Sequence, residues 1–309
     1  MLRDAMHVLV TGGAGFIGSH TADQLLAAGA RVRVLDNFSS GKRENLPSHP
    51  DLEVTAGDIR DPAAVTGALT GVTHVLHLAA QVSVQASVES PAESASVNVA
   101  GFLNVLDGVR RAGIRRFVYA SSAAVYGIPA RLPLDESAPS LPISPYGLEK
   151  AINDQYAALF LELYGVPTLG LRYFNVFGPR QDPASPYSGV ISIFTRRLRD
   201  NLPLTVHGDG QQTRDFVYVG DVARANVLAL GSPAIGACNV ATGQTITLLQ
   251  LIDTLAGVTG TRPAVQFAPA RSGDIRHSAA DNIRLRTELK LDRYTAVREG
   301  LQRLWASGG

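Results

Sequence analysis

Tyr146 and Lys150 are the residues of this sequence whose types and spacing point most directly to chemistry. They lie four positions apart, just after Ser144 and Pro145. Ser144 is a good helix N-cap, and proline suits the first helical position because its missing N–H would be unpaired there. This stretch therefore predicts a helix start, with Tyr146 and Lys150 on one face. An ammonium group favours the ionised form of a nearby phenol, so the pair predicts a proton-exchanging tyrosine; the alternative is a chance pair on a solvated helix.

A glycine-rich turn in segment 11–18 could bind the diphosphate of a nucleotide cofactor. Its glycines at positions 12, 15 and 18 follow a strand-like run and precede a helical pattern. Glycine at these places lets the backbone turn tightly, approach a pyrophosphate and pack the helix against the sheet, with the phosphates at the positive end of the helix. The segment therefore predicts a dinucleotide-binding site.

Two aspartates at the ends of predicted strands fit the same site. Asp36 ends the second predicted strand, where a carboxylate would bind the ribose hydroxyls and repel a 2′-phosphate, so NAD is favoured over NADP. Asp58 follows the third predicted strand and is a candidate adenine contact. For both residues the alternative is an ordinary turn, because Asp readily forms turns.

The elements that must position these residues alternate along the first half of the chain. Short β-branched apolar runs predict strands, and longer amphipathic patterns predict helices. This alternation predicts an α/β fold of the Rossmann type, a doubly wound parallel sheet with helices on both faces. The predicted strands are 7–10, 31–35, 52–54, 74–78, 116–120 and 168–173, and the predicted helices are 16–28, 62–69, 92–112 and 146–164.

The pattern changes near residue 175, beyond which proline and glycine become frequent and the periodic runs shorten. Loops of this kind commonly carry substrate-binding side chains. We therefore predict an NAD-binding Rossmann domain over 1–174 and a smaller C-terminal α+β substrate lobe over 175–309. A helical pattern at 219–230 predicts that the segment at about 216–240 returns to the first domain.

Composition excludes several classes of function. The 309 residues are 45% apolar and 18% charged, with 28 basic against 27 acidic side chains, which is typical of a folded protein that does not bind nucleic acid. Cys238 is the only cysteine and the seven histidines do not cluster, so neither a disulfide nor a metal site is expected. The sequence has no signal-peptide pattern and no apolar run of membrane-spanning length, so we expect a cytoplasmic protein that does not bind membranes.

Taken in order, the motifs resemble those of the extended short-chain dehydrogenase/reductase family. The glycine spacing is that of the family, and Ser121-Ser122 at the end of the fifth predicted strand precede Tyr146 and Lys150 as in its Ser–Tyr–Lys site. More narrowly, the chain is similar to nucleotide-sugar 4-epimerases nearly from end to end. Further matching segments are Asp36-Asn37-Phe38, Gly57-Asp58-Ile59, His77-Leu78-Ala79-Ala80, Asn98, Val125-Tyr126-Gly127, Tyr173-Phe174-Asn175-Val176, Gly208-Asp209-Gly210, Arg214-Asp215 and Arg271-x-Gly273-Asp274.

The resemblance implies a role for each residue of the site. Tyr146 would take the proton of a sugar C4 hydroxyl while hydride leaves C4, Lys150 would also hold the nicotinamide ribose, and a serine would hydrogen-bond O4. The family motif places Ser122 there, but a twist at the strand end would present Ser121, and both remain candidates. The implied cofactor-binding residues are Gly12, Gly15, Phe16, Ile17, Gly18, Asp36, Asn37, Ser39, Gly41, Asp58, Ile59, Leu78, Ala79, Ala80, Asn98, Tyr146, Lys150 and Tyr173.

On the substrate side, the resemblance implies that Arg214 and Arg271 grip the diphosphate and that Asp274 contacts the uridine ribose. The alternative for each arginine is a surface ion pair, with Asp215 or Asp274 as partner. The implied substrate-binding residues are Ser122, Ala123, Asn175, Val190, Arg214, Arg271, Asp274 and Ser278.

Two places refine the implied reaction. Related dehydratases carry Asp-Glu, and UDP-glucuronate decarboxylases a Glu at the second position, where this chain has Ala123 and Ala124; without a carboxylate, a 4-keto sugar can only take hydride back. Ser278 lies four residues after Asp274, where glucose/galactose-restricted relatives place a Tyr, and a small Ser leaves room for an N-acetyl group. The sequence thus predicts an isomerase that interconverts UDP-N-acetylglucosamine and UDP-N-acetylgalactosamine, with UDP-glucose/UDP-galactose as a further pair, for polysaccharide synthesis.

Other functions remain open on the sequence alone. The enzymatic alternatives are 4-epimerases for UDP-glucose or UDP-glucuronate. The alternative from a different class is a non-catalytic NAD-binding sensor or scaffold, which would not need both Tyr146 and Lys150. The resemblance also implies a homodimer, in which helices 92–112 and 146–164 of two copies form a bundle.

Overall fold

The centre of the molecule is a seven-stranded parallel sheet. The computed structural model describes residues 6–182, 189–270 and 275–308. In chain order the strands are β1 (His7–Thr11), β2 (Arg31–Asp36), β3 (Leu52–Ala56), β4 (His74–His77), β5 (Arg116–Ser122), β6 (Thr168–Tyr173), β7 (Asn175–Phe177), β8 (Leu204–His207), β9 (Thr213–Arg214), β10 (Phe216–Tyr218), β11 (Gly236–Val240), β12 (Ile246–Thr247) and β13 (Val265–Ala268). The large sheet has the order β11-β6-β5-β4-β1-β2-β3, and each neighbouring pair is parallel.

Helices cover both faces of this sheet, which confirms the predicted Rossmann-type fold. The helices are α1 (Phe16–Ala27), α2 (Pro62–Leu69), α3 (Val84–Glu89), α4 (Pro91–Ala95), α5 (Phe102–Arg111), α6 (Pro145–Tyr164), α7 (Val190–Arg199), α8 (Val219–Gly231), α9 (Leu248–Thr259), α10 (Ile283–Thr287) and α11 (Val297–Ala306). Helices α1 and α8 pack against each other on one face. Helices α2, α5 and α6 lie on the other.

The strand sequences explain why both faces must be covered. Along β1, Val8 and Val10 enter the core beneath α1 and α8, whereas Leu9 enters the core beneath α2 and α5. Successive side chains of a strand point to opposite faces, so a continuous apolar run fits only a strand that is buried on both sides. Each Å² of apolar surface removed from water contributes about 25 cal/mol, so these two cores account for most of the stabilisation of the sheet.

The strand order places the functional segments at one edge of the sheet. The chain moves outward from β1 through β2 to β3, and then returns to the other side of β1 to form β4, β5 and β6. The carboxyl ends of parallel strands lie at the same edge, and the crevice at such a reversal is where this kind of sheet binds ligands. The segments after β1, β4 and β5 therefore converge beside the start of α6.

The segment predicted as one helix over 92–112 is divided. Helix α4 ends at Ala95, a π-helical turn follows at Ser96–Gly101, and α5 begins at Phe102. At Gly101 an added Cβ would lie 2.7 Å from the Ile59 side chain, so the turn packs directly on the loop that follows β3. Extra-residue turns of this kind occur mostly at functional sites. The short helix α3, which the sequence patterns did not predict, begins at Ser83, whose side chain accepts a hydrogen bond from Ala86 N.

The segments beyond β6 build a second core. Strand β7 pairs with β10, β9 with β12 and β8 with β13, and α7, α9 and α11 contribute the buried residues around them. The chain also re-enters the first sheet, because α8 packs on α1 and β11 pairs with β6. Within the described ranges, no helix is both long and apolar enough to cross a membrane.

Candidate active site

The glycine-rich turn between β1 and α1 forms a cradle with no room for side chains. Gly12 has a φ of +68°, and a Cβ there would lie 2.7 Å from the Ala79 backbone nitrogen; a Cβ on Gly18 would lie 2.2 Å from the Gly12 carbonyl oxygen. Helix α1 begins directly after Gly15, which has no side chain to cap the first amides. Free amides at a helix start, reached through a turn without side chains, fit a pyrophosphate.

Asp36 fixes this cradle to the end of β2. Its carboxylate is buried and accepts hydrogen bonds from the Ala14 and Phe38 backbone amides, at 2.9 and 2.8 Å. A Cβ on Gly41 would lie 2.9 Å from Asp36 Oδ2, so the chain passes closely over the carboxylate. Each carboxylate oxygen can accept a further hydrogen bond, and Asp36 is therefore placed to bind ribose hydroxyls beside the cradle.

The rim of the cradle carries a charged cluster formed by Asn37, Asp58 and Arg60. Asn37 donates to Asp58 Oδ2 at 3.0 Å, and Arg60 binds both carboxylate oxygens of Asp58, at 3.0 and 2.8 Å. The hydrogen bonds from Arg60 hold the pKa of Asp58 well below its usual range. Asp58 is thus a fixed anion that orients Asn37, while Ser39 N donates to Asn37 Oδ1 at 3.1 Å.

The loop after β4 forms the opposite wall of the cradle. Leu78 N donates to the Thr11 carbonyl at 3.0 Å, and Ala79 N donates to Thr11 Oγ1 at 3.3 Å. Asn98 was predicted to contact the cofactor, but its amide holds this loop: it donates to Gln81 O and accepts from Gln81 N, both at 2.9 Å. Asn98 lies in the π-helical turn and is buried, so here it acts on the wall of the cradle.

Lys150 is buried at the carboxyl end of β5. Its side chain is 3% exposed, and Nζ donates to the Ala120 carbonyl at 3.0 Å. Burial lowers the pKa of Lys150 from 10.5 to about 8, against the opposing effects of Asp154 and Glu149. The ammonium form therefore still predominates at neutral pH. Lys150 Nζ lies 5.8 Å from the centroid of the Tyr146 ring.

The neighbours of Tyr146 act on the pKa of its phenol in opposite directions. Burial is the largest influence and raises the pKa of Tyr146, the Ser122 hydroxyl lowers it, and the nearby Glu149 raises it further. An ammonium group near a phenol favours the ionised form, but desolvation is the dominant effect in the protein without its cofactor. A further positive charge beside the phenol would favour its ionisation.

The two serines at the end of β5 have different surroundings. The Ser122 hydroxyl is close enough to the Tyr146 phenol to lower the pKa of Tyr146, and Ser122 Oγ accepts a hydrogen bond from Ala124 N at 3.1 Å. Ser121 is buried, and its Oγ has no hydrogen-bond partner within the described ranges. This difference follows from the alternation of side chains along a strand. Of the two serines retained from the sequence, the structure brings Ser122 to Tyr146.

Other predicted cofactor residues surround this group. Tyr173 ends β6, is buried, and donates to Asn226 Oδ1 at 2.7 Å. Its pKa is raised mainly by burial and also by the nearby Tyr146, so the two phenols lie close together. Phe16 and Ile17 begin α1 and contact the second core. Ile59 is buried under the π-helical turn.

On the predicted substrate side, strand β9 lies beside segment 276–278. Thr213 N donates to the Arg276 carbonyl at 3.0 Å, and Ser278 N donates to the Thr213 carbonyl at 3.2 Å. Arg214 Nη1 donates to the carbonyls of Thr213 and Arg276, at 2.9 and 3.4 Å. The structure thus brings Arg214 and the half-buried Ser278 to neighbouring positions.

Asp215 has a structural role that the sequence did not predict. It was considered as a surface ion-pair partner for an arginine, but it is fully buried and accepts hydrogen bonds from Thr242 and Gly243, between 2.7 and 2.9 Å. Burial raises its pKa. Asn175 donates to the Asp215 carbonyl at 3.0 Å.

Of the four remaining predicted substrate residues, the structure describes Ala123 and Val190. Ala123 begins the 3₁₀ turn Ala123–Tyr126, and Val190 begins α7. Both are half-buried. Arg271 and Asp274 lie outside the described residues.

Sequence reasoning also missed Glu149, a buried carboxylate directly before Lys150. Its side chain accepts hydrogen bonds from Ser94 and Asn98. The available signal was its position three residues after Tyr146, which puts it close to the same helix face.

A glycine-lined nucleotide cradle and a half-buried tyrosine beside a buried lysine at one sheet edge define a dinucleotide-binding α/β protein with an acid/base group beside its cofactor site. Residues 8–241 match the NAD dependent epimerase/dehydratase family, and the chain belongs to that family.

Several known proteins are similar to this chain over nearly its whole length. The UDP-glucose 4-epimerase of Mycolicibacterium smegmatis is 41% identical over 304 residues, 96% of each chain. A crystal structure of the Thermus thermophilus UDP-glucose 4-epimerase in complex with NAD has a TM-score of 0.90 at 41% identity and covers 98% of each chain. The UDP-N-acetylglucosamine 4-epimerase of Methanobrevibacter ruminantium, in complex with UDP-N-acetylmuramic acid, has a TM-score of 0.94 at 38% identity and covers 99% of this chain and 98% of that one.

NAD is the cofactor of this family, and the residues of this chain fit it. The cradle at Gly12 and Gly18 would take the pyrophosphate, and Asp36 would bind the adenosine ribose. Tyr146 and Lys150 lie at the sheet edge beyond the cradle, where the nicotinamide end would reach.

The lowered pKa of Lys150 predicts that its buried ammonium group decreases the free energy of unfolding by an amount that depends on pH. Stability rises with pH wherever the unfolded chain binds more protons than the folded one; for Lys150 this holds between about 8, its folded pKa, and 10.5, its unfolded value. Below a pH of about 8 the ammonium group decreases the free energy of unfolding by its full amount, of the order of 3 kcal/mol at most. Lys150→Met should therefore raise the free energy of unfolding at pH 7, by an amount that shrinks as the pH approaches 10.5.

Urea unfolding of both proteins across this pH range measures the effect. Lys290→Met removes an exposed lysine and should show no such pH dependence. A stability difference for Lys150→Met that is constant with pH would contradict the assignment.

Proposed function

We propose that this protein is a UDP-sugar 4-epimerase that works through a 4-keto intermediate. The observation that carries the proposal is the grouping of Ser122, Tyr146 and Lys150 at the sheet edge that also bears the glycine cradle. The Ser122 hydroxyl is close enough to the phenol to lower the pKa of Tyr146, and Lys150 Nζ lies 5.8 Å from the centroid of the Tyr146 ring. The two residues that begin the turn after β5, Ala123 and Ala124, have no acid/base group. They add no eliminating or decarboxylating chemistry to the oxidised sugar.

Tyr146, Ser122 and Lys150 each have a separate role in the proposed reaction. Tyr146 removes the proton of the sugar C4 hydroxyl and later gives it back, and Ser122 bonds the phenol and O4. Lys150 holds the nicotinamide ribose and adds positive charge beside the phenol. Bound NAD would supply reversible hydride transfer at C4, with the hydride returned to the opposite face of the ring. Because no net oxidation occurs, the cofactor stays bound from one cycle to the next.

Replacement of the phenol tests this assignment. Tyr146→Phe should lower kcat by about 10²–10⁴-fold, the usual contribution of a general acid/base, with little change in substrate KM. The assay incubates the purified protein with each UDP-sugar and follows the approach to the epimer equilibrium. Tyr156→Phe changes a partly exposed phenol on the same helix and should retain full activity. Unchanged turnover in Tyr146→Phe would refute the mechanism, and a wild-type protein that binds NAD but converts no UDP-sugar would favour a non-catalytic sensor.

For the sugar we propose the UDP-N-acetylglucosamine/UDP-N-acetylgalactosamine pair, with UDP-glucose/UDP-galactose also accepted, to supply polysaccharide precursors. Ser278 is half-buried, and its backbone is held by Thr213, next to Arg214. A short side chain there leaves space for an acetamido group at C2. The Methanobrevibacter enzyme supports this choice, whereas the two UDP-glucose epimerases support the plain hexose.

Enlarging Ser278 tests the sugar preference. Ser278→Tyr should lower kcat/KM for the N-acetylated sugar by about 10–200-fold, the usual range for a steric mismatch in a pocket, and leave the hexose reaction largely intact. Ser278→Ala keeps the volume small and should keep the preference. Equal losses on both sugars in the tyrosine variant would show that this residue does not select the C2 substituent.

We also propose that the protein is a homodimer through α6. Its outer face carries apolar side chains at helical spacing, which remain exposed by 37 to 63%: Leu148, Tyr156, Leu159 and Leu163. An exposed apolar stripe of this length on a folded domain typically marks an interface. A second copy presents the same stripe, so two α6 helices can pack face to face around a two-fold axis.

Gel filtration with light scattering tests the dimer. Leu159→Glu places a charge in the centre of the stripe and should shift the protein from dimer to monomer. Leu202→Glu changes a leucine of matching exposure, 46% against 47%, outside α6, and should leave the dimer intact. A monomeric wild type, or a dimer that tolerates Leu159→Glu, would reject this interface.

A further inference from the structure

Glu149 is buried between the catalytic helix and the segment preceding α5. It is 4% exposed, and one carboxylate oxygen accepts hydrogen bonds from Ser94 Oγ at 2.8 Å and Asn98 Nδ2 at 2.7 Å. A buried carboxylate is costly unless it is well hydrogen-bonded, and even then a neutral residue of similar shape often stabilises a fold as well. Stability alone therefore does not explain an acid at this position.

Asn98 connects Glu149 to the wall of the cofactor cradle. The same amide group that donates to Glu149 also donates to Gln81 O, and its carbonyl accepts from Gln81 N. Asn98 thus fixes both backbone groups of Gln81. It can reach them because the π-helical turn Ser96–Gly101 interrupts the helical segment there.

Gln81 ends the loop whose position decides the shape of the cradle. Within this loop, Ala79 N bonds Thr11 Oγ1, and the Ala79 backbone is the group that a Cβ on Gly12 would meet at 2.7 Å. A shift of the loop would therefore change the space at the pyrophosphate turn. The chain of contacts from Glu149 through Asn98 to Gln81 joins that wall to the helix that carries Tyr146 and Lys150.

We propose that Glu149 is a positioning residue that, through Asn98, holds the cofactor loop in register with the catalytic tyrosine and lysine and sets the electrostatic field at both. The geometric half of the proposal concerns NAD binding alone. The electrostatic half rests on the proposed function, because it predicts how epimerase activity varies with pH.

The charges around Glu149 support the electrostatic half. Glu149 raises the pKa of both Tyr146 and Lys150, although burial is the larger influence on each. Asp154, one turn further along α6, also raises that of Lys150. The ring of His77 on β4 is buried and neutral, with its pKa lowered to about 3 by desolvation and by Lys150. On α4, Glu93 pairs with Arg60 at the surface.

Glu149→Gln separates charge from geometry. The amide oxygen can still accept from Ser94 and Asn98, so NAD affinity should change less than about threefold. Without the negative charge the pKa of both catalytic groups falls, so both limbs of the kcat profile should move to lower pH by roughly one unit. Glu162→Gln removes the same charge from an exposed position on the same helix and should leave the profile unchanged.

Asn98→Ala tests the geometric half without any need for epimerase activity. Loss of the link between Asn98 and Gln81 should weaken NAD binding about tenfold or more, as measured by calorimetric titration of the cofactor-free protein. The titration midpoint of Tyr146 should stay unchanged, as measured by tyrosinate difference absorbance with Tyr146→Phe as the reference. The same absorbance titration of Glu149→Gln should give a lowered midpoint.

The outcomes are separable. Wild-type NAD affinity in Asn98→Ala would overturn the geometric half, and an unshifted Tyr146 midpoint in Glu149→Gln would overturn the electrostatic half. A protein that converts no UDP-sugar but shows both effects would refute the proposed function and leave this inference standing.

Discussion

The buried ammonium group of Lys150 is the constraint on which the rest of the site depends. A cation that is 3% exposed must replace its hydration with protein groups, and the one hydrogen bond that the structure gives its Nζ goes to the Ala120 carbonyl at the end of β5. Ala120 lies near the end of β5, where pairing with β4 has already stopped at Tyr119 and pairing with β6 stops two residues later. The start of α6 must therefore meet the carboxyl edge of the sheet, which is the edge where the glycine cradle lies. Glu149 and Asp154 add the negative charge that keeps the ammonium form.

A second buried network extends this constraint toward the substrate side. Asp154 accepts hydrogen bonds from Tyr119 and Arg172, and Arg172 also donates to Tyr126, the last residue of the turn that follows Ser122. Tyr126 donates in turn to Asn239 on β11. Asn239 then donates to the carbonyls of Leu134 and Asp281, and Leu134 pairs with the segment directly after Ser278. Because such networks are strong only when every member is bonded, the segment beside Ser278 and helix α6 are held by the same set of contacts.

The parts of this molecule that local sequence patterns could predict are those governed by local physics. Apolar alternation predicted β1 to β6, and the N-cap Ser144 with Pro145 predicted the start of α6 at the observed residue, because both signals act within a few residues. The π-helical turn, the choice between Ser121 and Ser122 and the state of Tyr146 could not be predicted so. They depend on contacts between residues far apart in the chain, such as Gly101 on Ile59 and Glu149 on Asn98. The desolvation of Tyr146 is the clearest case, since it acts against the ionising effect expected from Lys150 on the same helix.

The raised pKa of Tyr146 bears on proton transfer in both directions of the proposed reaction. Burial lowers the pKa of Lys150 to about 8 and raises that of Tyr146, so within the pair the last proton to leave is the phenolic one. Tyr146 therefore keeps its proton until additional positive charge is brought next to it, and regains it when that charge disappears. A hydride acceptor is cationic before the transfer and neutral after it, so the basicity of Tyr146 rises as the sugar loses hydride. In the proposed epimerisation the proton would leave O4 as hydride leaves C4, and both would return, so a single tyrosine could serve both halves of the reaction without a second acid/base residue.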